Sequence, residues 1–176
     1  MKLKATQTEI AQLLKSEIDR LLKSANGLKC WYVPTGDATM ARFALEFGAK
    51  VPRTKPLSNS ELEDRANYYG EVTLYVWCSW RISKNNRVIA SSKDSDKDVS
   101  AALRTLLGRK LRSITQRNPM RDMTIDFEND ISLDIFCDHS RESDRYLALN
   151  WTIYVEDFVV WCGPGNTLSV KPGRIR

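Results

Sequence analysis

A chain of 176 residues with one histidine, His139, has little room for the commonest site chemistries. That scarcity removes most metal sites and nearly every Ser/His/Asp or Cys/His arrangement. Next to Asp138, His139 could act as an isolated general base, but an exposed polar residue is the simpler reading. Phosphate-cradling and nucleophile motifs of the GxxxxGKS, GxGxxG, GxSxG and HExxH kinds are missing as well. Gly163-Pro164-Gly165-Asn166 is rich in glycine yet precedes a strand-like run, whereas phosphate cradles open helices, so it reads as a turn.

Long apolar runs are also lacking. The longest strong one, Val72 to Trp80, falls far short of the roughly 20 residues a membrane span needs. The N-terminus carries Glu9, Lys15, Glu17 and Asp19 within its apolar pattern, where a secretory leader requires an unbroken apolar stretch. A soluble chain that stays in the cytoplasm is expected. Cysteine is sparse: Cys30, Cys78, Cys137 and Cys162 lie inside or at the end of strand-like runs, with no two at CxxC spacing. They read as buried reduced thiols rather than zinc ligands, and no cofactor or metal is expected.

What the chain does hold is apolar content of 42%, enough for a core in a single domain. Ile10, Leu13, Leu14, Ile18, Leu21 and Leu22 recur at helical spacing, Thr6 and Glu9 are placed as a capping box, and Asn26-Gly27 supplies a stop. Strands are expected at Leu28 to Val33 and Met40 to Phe47, with a turn at Pro34 to Asp37. The polar stretch Lys50 to Asn67, with Pro52 and Pro56, reads as a long loop with a short helix at Ser60 to Tyr68; a sub-boundary within residues 50–70 would fall there.

From Glu71 onward strands dominate: Val72 to Ile82, Arg87 to Ser91, Lys110 to Thr115, Met123 to Phe127, Ile131 to Cys137, Leu147 to Val155, Phe158 to Cys162 and Leu168 to Val170. One helix near residues 96–107 interrupts them, with Val99, Ala102, Leu103, Leu106 and Leu107 on its apolar stripe, acids at its start and Gly108 at its stop. Short connections at Lys84 to Asn86 and Glu128 to Asp130 favour antiparallel neighbours. The fold class is therefore α+β, mainly antiparallel sheet with an N-terminal amphipathic helix.

An echo runs through this region. Val72-Thr73-Leu74-Tyr75-Val76-Trp77-Cys78 matches Ile131-Ser132-Leu133-Asp134-Ile135-Phe136-Cys137 position by position. Trp80, Ile82, Val88 and Ile89 match Trp151, Ile153, Val159 and Val160 at the same internal spacing. Either a structural duplication or the small alphabet of strand residues would produce it. The second copy carries an insertion of 12 residues, opening with the wholly polar run Asp138 to Arg145. Such a loop adds nothing to a core; it is either a solvated tip or a binding loop. Asp138, Arg141, Glu142, Asp144, Arg145 and Tyr146 are the candidate partner-binding residues.

Charge is unevenly placed. Residues 1–120 hold 21 Lys and Arg against 12 acids, and residues 121–176 hold 6 against 10, all ten acids falling between Asp122 and Asp157. A uniformly basic nucleic-acid binder would not carry such a block, which repels phosphates. Arg104, Arg109, Lys110, Arg112 and Arg117 do form an acid-free run that could hold phosphates, but stacking aromatics are not interleaved with it. Asp122, Thr124 and Asp126 alternate with Met123, Ile125 and Phe127, so these acids read as the solvated face of a sheet rather than a catalytic pair.

Leu106-Leu107-Gly108-Arg109-Lys110-Leu111, Met123 to Phe127, Ile131 to Ile135 and Asn150-Trp151-Thr152-Ile153 together resemble small bacterial immunity proteins and their relatives, over about residues 99–170. The resemblance implies a cytosolic, non-catalytic binder that occludes a cognate toxin from a contact-dependent or secreted competition system. The alternative is a nucleic-acid-associated accessory protein using Arg104 to Arg117.

Overall fold

The computed structural model describes residues 7–33, 42–58, 63–117, 121–137, 149–163, 165 and 167–173. Helix α1 (Gln7–Ser24) buries Ile18, Leu21 and Leu22 on one face, and the chain then turns at Gly27 with φ of 83°. The capping residue expected at Thr6 lies outside the described residues. After α1 come β1 (Cys30–Tyr32), β2 (Phe43–Pro52), α2 (Glu63–Asn67), β3 (Tyr68–Val76), β4 (Ser79–Lys84) and β5 (Arg87–Ser91). A second series follows: α3 (Asp96–Arg104), β6 (Leu111–Arg117), β7 (Asp122–Phe127), β8 (Ile131–Phe136), β9 (Trp151–Val155), β10 (Phe158–Cys162) and β11 (Leu168–Pro172). The fold is α+β and mainly antiparallel.

Two sheets result, ordered β1-β2-β3-β9-β10-β11 and β5-β4-β8-β7-β6, with every neighbouring pair antiparallel. Period-2 alternation decides which side chains face inward: Met123, Ile125 and Phe127 are buried while Asp122, Thr124 and Asp126 are half-buried on the opposite face. Trp80, Ile82, Trp151 and Ile153 all lie in the core, as their spacing predicts. Inward residues of both sheets join with those of α1 and α3 in one apolar cluster, where Phe47 and Phe127 stack at 6.1 Å.

Several boundaries differ from the sequence reading. Val72 to Ile82 is not one strand: the chain leaves the first sheet after Val76 and enters the second at Ser79. The apolar run continues across the break because Val76, Cys78 and Trp80 are all buried where the strands change sheet. The loop placed at residues 50–67 is partly ordered pairing, since β2 runs on to Pro52 opposite Tyr68 and the short helix occupies Glu63–Asn67. The second helix ends at Arg104, three residues earlier than its apolar stripe suggests, and Leu106 is buried from the turn that follows.

The echo is a structural repeat in its strand path and in most of its registers, but the match of Val88 and Ile89 with Val159 and Val160 fails, since the first two are exposed and the second two buried. Strands β1 to β5 follow the same path as β6 to β10, each half placing its first three strands in one sheet and its last two in the other. Registers coincide: Val72, Leu74 and Val76 face Val155, Ile153 and Trp151, as Ile131, Leu133 and Ile135 face Lys84, Ile82 and Trp80. Phe43, Leu45 and Phe47 face Val76, Leu74 and Val72, as Met123, Ile125 and Phe127 face Ile135, Leu133 and Ile131. The bulges in the first strand of each half match, between Cys30 and Tyr32 and between Leu111 and Ser113, whereas those at Phe47/Lys50 and Ile82/Ser83 have no counterpart.

Helix ends obey the same correspondence. Gly27 and Gly108 turn with φ of 83° and 78°. Gly27 N donates to Leu111 O and Gly108 N to Cys30 O, both at 2.7 Å, a reciprocal pair across the junction of the halves. Lys29 and Lys110, which correspond, bridge to one another there. The symmetry is also broken by the long connection between β2 and β3, by the insertion after β8, and by β11, which has no counterpart beside β5.

Candidate functional site

The repeat makes the two outer sheet faces directly comparable, and they differ most around Glu46 and its counterpart Asp126. Glu46 sits on the outward side of β2, between Tyr32 on β1 and Thr73 on β3. An outward carboxylate would ordinarily be solvated, yet Glu46 is fully buried. Its cover is the connection from Gly48 to Glu71, a hairpin extension that carries α2 back over the sheet and delivers two arginines. Arg65 Nη1 lies 3.0 Å from Glu46 Oε1, and Arg53 Nη2 lies 3.8 Å from the same oxygen. Oε2 accepts from Gly70 N at 2.8 Å and from the Thr73 hydroxyl.

Aromatic rings complete this seat. The Arg65 guanidinium stands 5.3 Å over Tyr32, and its Nη2 donates to the Tyr75 hydroxyl at 3.4 Å. Arg53 is held from the other side, its Nε donating to the carbonyls of Arg65 and Tyr68. Burial pushes the Glu46 carboxyl above its ordinary range, while Arg65, Thr73 and Gly70 pull it back. Gly70 is required by this closeness, since a Cβ there would come within 2.7 Å of the Phe47 backbone nitrogen and oxygen.

In the second half the connection between β7 and β8 is the three-residue turn Glu128 to Asp130, with Asn129 and Asp130 at φ of 63° and 52°. No own segment is long enough to fold over the sheet from that turn. Register places Ser113, Asp126, Ser132 and Asp134 where the first half has Tyr32, Glu46, Thr73 and Tyr75. Asp126 accepts from the Ser113 hydroxyl at 2.8 Å, and Asp134 accepts from Thr124 at 2.8 Å and from Arg81 Nε at 3.0 Å. Beside them a groove of roughly 790 Å³ lies open, lined by Asn86, Arg112, Ser113, Asp126, Asp130 and Ser132 among others. Arg112 approaches Asp130 only to 3.9 Å, with both side chains largely exposed.

The sequence reading placed Asp122 and Asp126 on the outer face of a strand, where they are half-buried rather than solvated, and did not single out Ser113, Asp126 and Ser132 as a site, nor Glu46, Arg53 and Arg65 as its filled counterpart. Extending the echo upstream from Val72 and Ile131 to pair Glu46 with Asp126 would have pointed there. Along the basic run, Arg104 ends α3, Lys110 bridges at the junction, Arg112 occupies the β6 bulge and Arg117 stands opposite Asp122. Asp138, Arg141, Glu142, Asp144, Arg145 and Tyr146 lie outside the described residues, as does His139.

The four cysteines are buried and free, with Cys137 and Cys162 Sγ atoms 3.7 Å apart, and burial pushes the Cys30 thiol up to about 12. Among the described residues no group of three His, Cys, Asp or Glu side chains is placed to hold a metal ion. No described helix is long and apolar enough to cross a membrane. Compared with known proteins, the chain matches no family model, no curated protein and no solved structure.

Proposed function

We propose that this chain is a protein-binding module of the immunity type, a cytoplasmic inhibitor that neutralises a cognate bacterial toxin by occluding it rather than by catalysis. The observation that carries the reading is the asymmetry of the outer faces. One half covers its sheet with its own segment; the other leaves Asp126 and Asp130 facing an open groove, with Asp134 beside it paired to Arg81. A carboxylate-lined face complements the basic surface of a nuclease or similar toxin and speeds encounter with it. The resemblance to immunity proteins falls on this same half, on β6 to β9. The loop residues Asp138, Arg141, Glu142, Asp144, Arg145 and Tyr146 are proposed as a second contact region.

The test is reconstitution with the toxin domain encoded beside this chain. A stoichiometric complex that abolishes toxin activity is expected. Charge reversal by Asp126→Lys with Asp130→Lys, or by Glu142→Lys with Asp144→Lys, should weaken it about tenfold or more. Arg104→Glu with Lys110→Glu should leave it intact. Salt-sensitive binding to DNA or RNA that the latter pair abolishes, with no toxin complex, would overturn the reading in favour of phosphate recognition.

A further inference from the structure

We infer that the open groove of the second half is a seat for an arginine side chain presented by a partner protein, bound as the first half binds its own Arg65. The inference rests on the protein-binding reading above and adds the chemical class of the group recognised.

Position-by-position equivalence carries it. In the first half a carboxylate on the second strand and two tyrosines surround a guanidinium, Glu46, Tyr32 and Tyr75 around Arg65, and a hydroxyl on the third strand, Thr73, donates to that carboxylate. The matching positions hold a carboxylate and a hydroxyl again, Asp126 and Ser132, while the tyrosines are replaced by Ser113 and Asp134. The carboxylate and the hydroxyl are thus kept and the bulk of the tyrosines is removed, while Asp134 is engaged by Arg81 and Thr124. Shortening Glu to Asp and Tyr to Ser leaves more room, and the three-residue turn in place of the 48–71 connection brings no counterpart of Arg65 over it.

The donor geometry favours arginine over lysine. Carboxylate and hydroxyl oxygens on adjacent strands, with Asp130 at the rim, present several acceptors to one ligand. A planar guanidinium with five N–H donors can engage several of these at once, whereas an ammonium acts as a point charge. The chain's own described cations do not fill the role: Arg81 pairs with Asp134, which does not line the groove, and Arg112 and Asp130 are 59% and 76% exposed at 3.9 Å, an ion pair of a kind that contributes little. The groove also exceeds one side chain, leaving space for the turn of backbone that would present it, as α2 presents Arg65.

The experiment is a titration of the isotopically labelled full chain, followed by amide chemical shifts, with blocked arginine (N-acetyl-arginine amide) and with blocked lysine as the matched cation. Saturable shifts confined to residues around Ser113, Asp126, Asp130 and Ser132 are expected with the arginine probe, and about tenfold weaker binding with lysine. Asp126→Asn should weaken the arginine response by about tenfold. Asp130→Asn, which retains a residue type tolerant of the positive φ at that turn, should weaken it in a chain whose folding is undisturbed. Equal responses to the two probes, or shifts indifferent to both substitutions, would overturn the assignment. The titration needs no partner, so its failure rejects the arginine seat even where a toxin complex forms; absence of a toxin complex rejects the immunity reading whatever the titration shows.

Discussion

In β2, Phe43, Leu45 and Phe47 alternate with Glu46 and take the inward face, which leaves the carboxylate on the outer one. Alternation fixes the face a side chain is on but is silent about what lies over that face, and here Arg53 and Arg65 arrive from a segment whose polarity suggests a loop. Once buried, the carboxylate depends on those cations. Replacing Arg65 by Met should destabilise the fold by about 3 kcal/mol near neutral pH, since breaking a buried pair leaves a charge without its closest partner. The pH dependence has a definite sign. Burial holds the Glu46 carboxyl above its ordinary 4.5, and Arg65 opposes that rise, so Arg65→Met raises it further. The folded variant then keeps a proton that the unfolded chain releases, and its stability falls as pH rises above the unfolded value. Urea unfolding at about pH 5 and about pH 8 should show the larger deficit at the higher pH; an equal deficit at both would mean that Glu46 is not the group responsible.

At the scale of elements, helices, hairpin turns and the polar face of β7 were legible because each is encoded within a few residues: the stripe Ile18, Leu21, Leu22 in α1, Asn85-Asn86 between β4 and β5, the alternation from Asp122 to Phe127. Pairing partners were not, since β3 meets β9 across more than seventy residues and nothing local marks the change of sheet near Trp77. The correspondence of the halves gives a test that local reading could not. Gly27 and Gly108 occupy equivalent left-handed positions, and a Cβ would meet nothing within 4 Å at the first and only the Lys29 Cε at 3.7 Å at the second. Space is therefore not the constraint. Gly27→Ala and Gly108→Ala should each lose about 1–2 kcal/mol through backbone strain alone, and the two losses should agree. Markedly unequal shifts in the urea midpoint would show that the two turns are not equivalent.

Across the whole molecule the exchange of strands matters more than the repeat itself. The echo was visible in sequence because both copies use Trp, Cys and β-branched residues at like positions, but each echo contains strands of both sheets, so the match could not reveal which copy completes which sheet. The coordinates settle the connection: β4 and β5 of the first half extend the sheet of the second, β9 and β10 of the second extend the sheet of the first, and Trp80 and Trp151 are buried in one cluster. Neither half can then keep its sheet when the other melts, because unfolding either one strips two strands from its neighbour and exposes the shared core. Unfolding should be a single cooperative transition. Trp80→Phe and Trp151→Phe, each made in a chain whose Trp31, Trp77 and Trp161 are also changed to Phe so that the other half's core tryptophan is the sole reporter, should give fluorescence midpoints that coincide with the loss of circular dichroism in the same protein. Two separated transitions, one followed by each tryptophan, would mean that the halves fold as independent units and that the exchanged strands do not couple them.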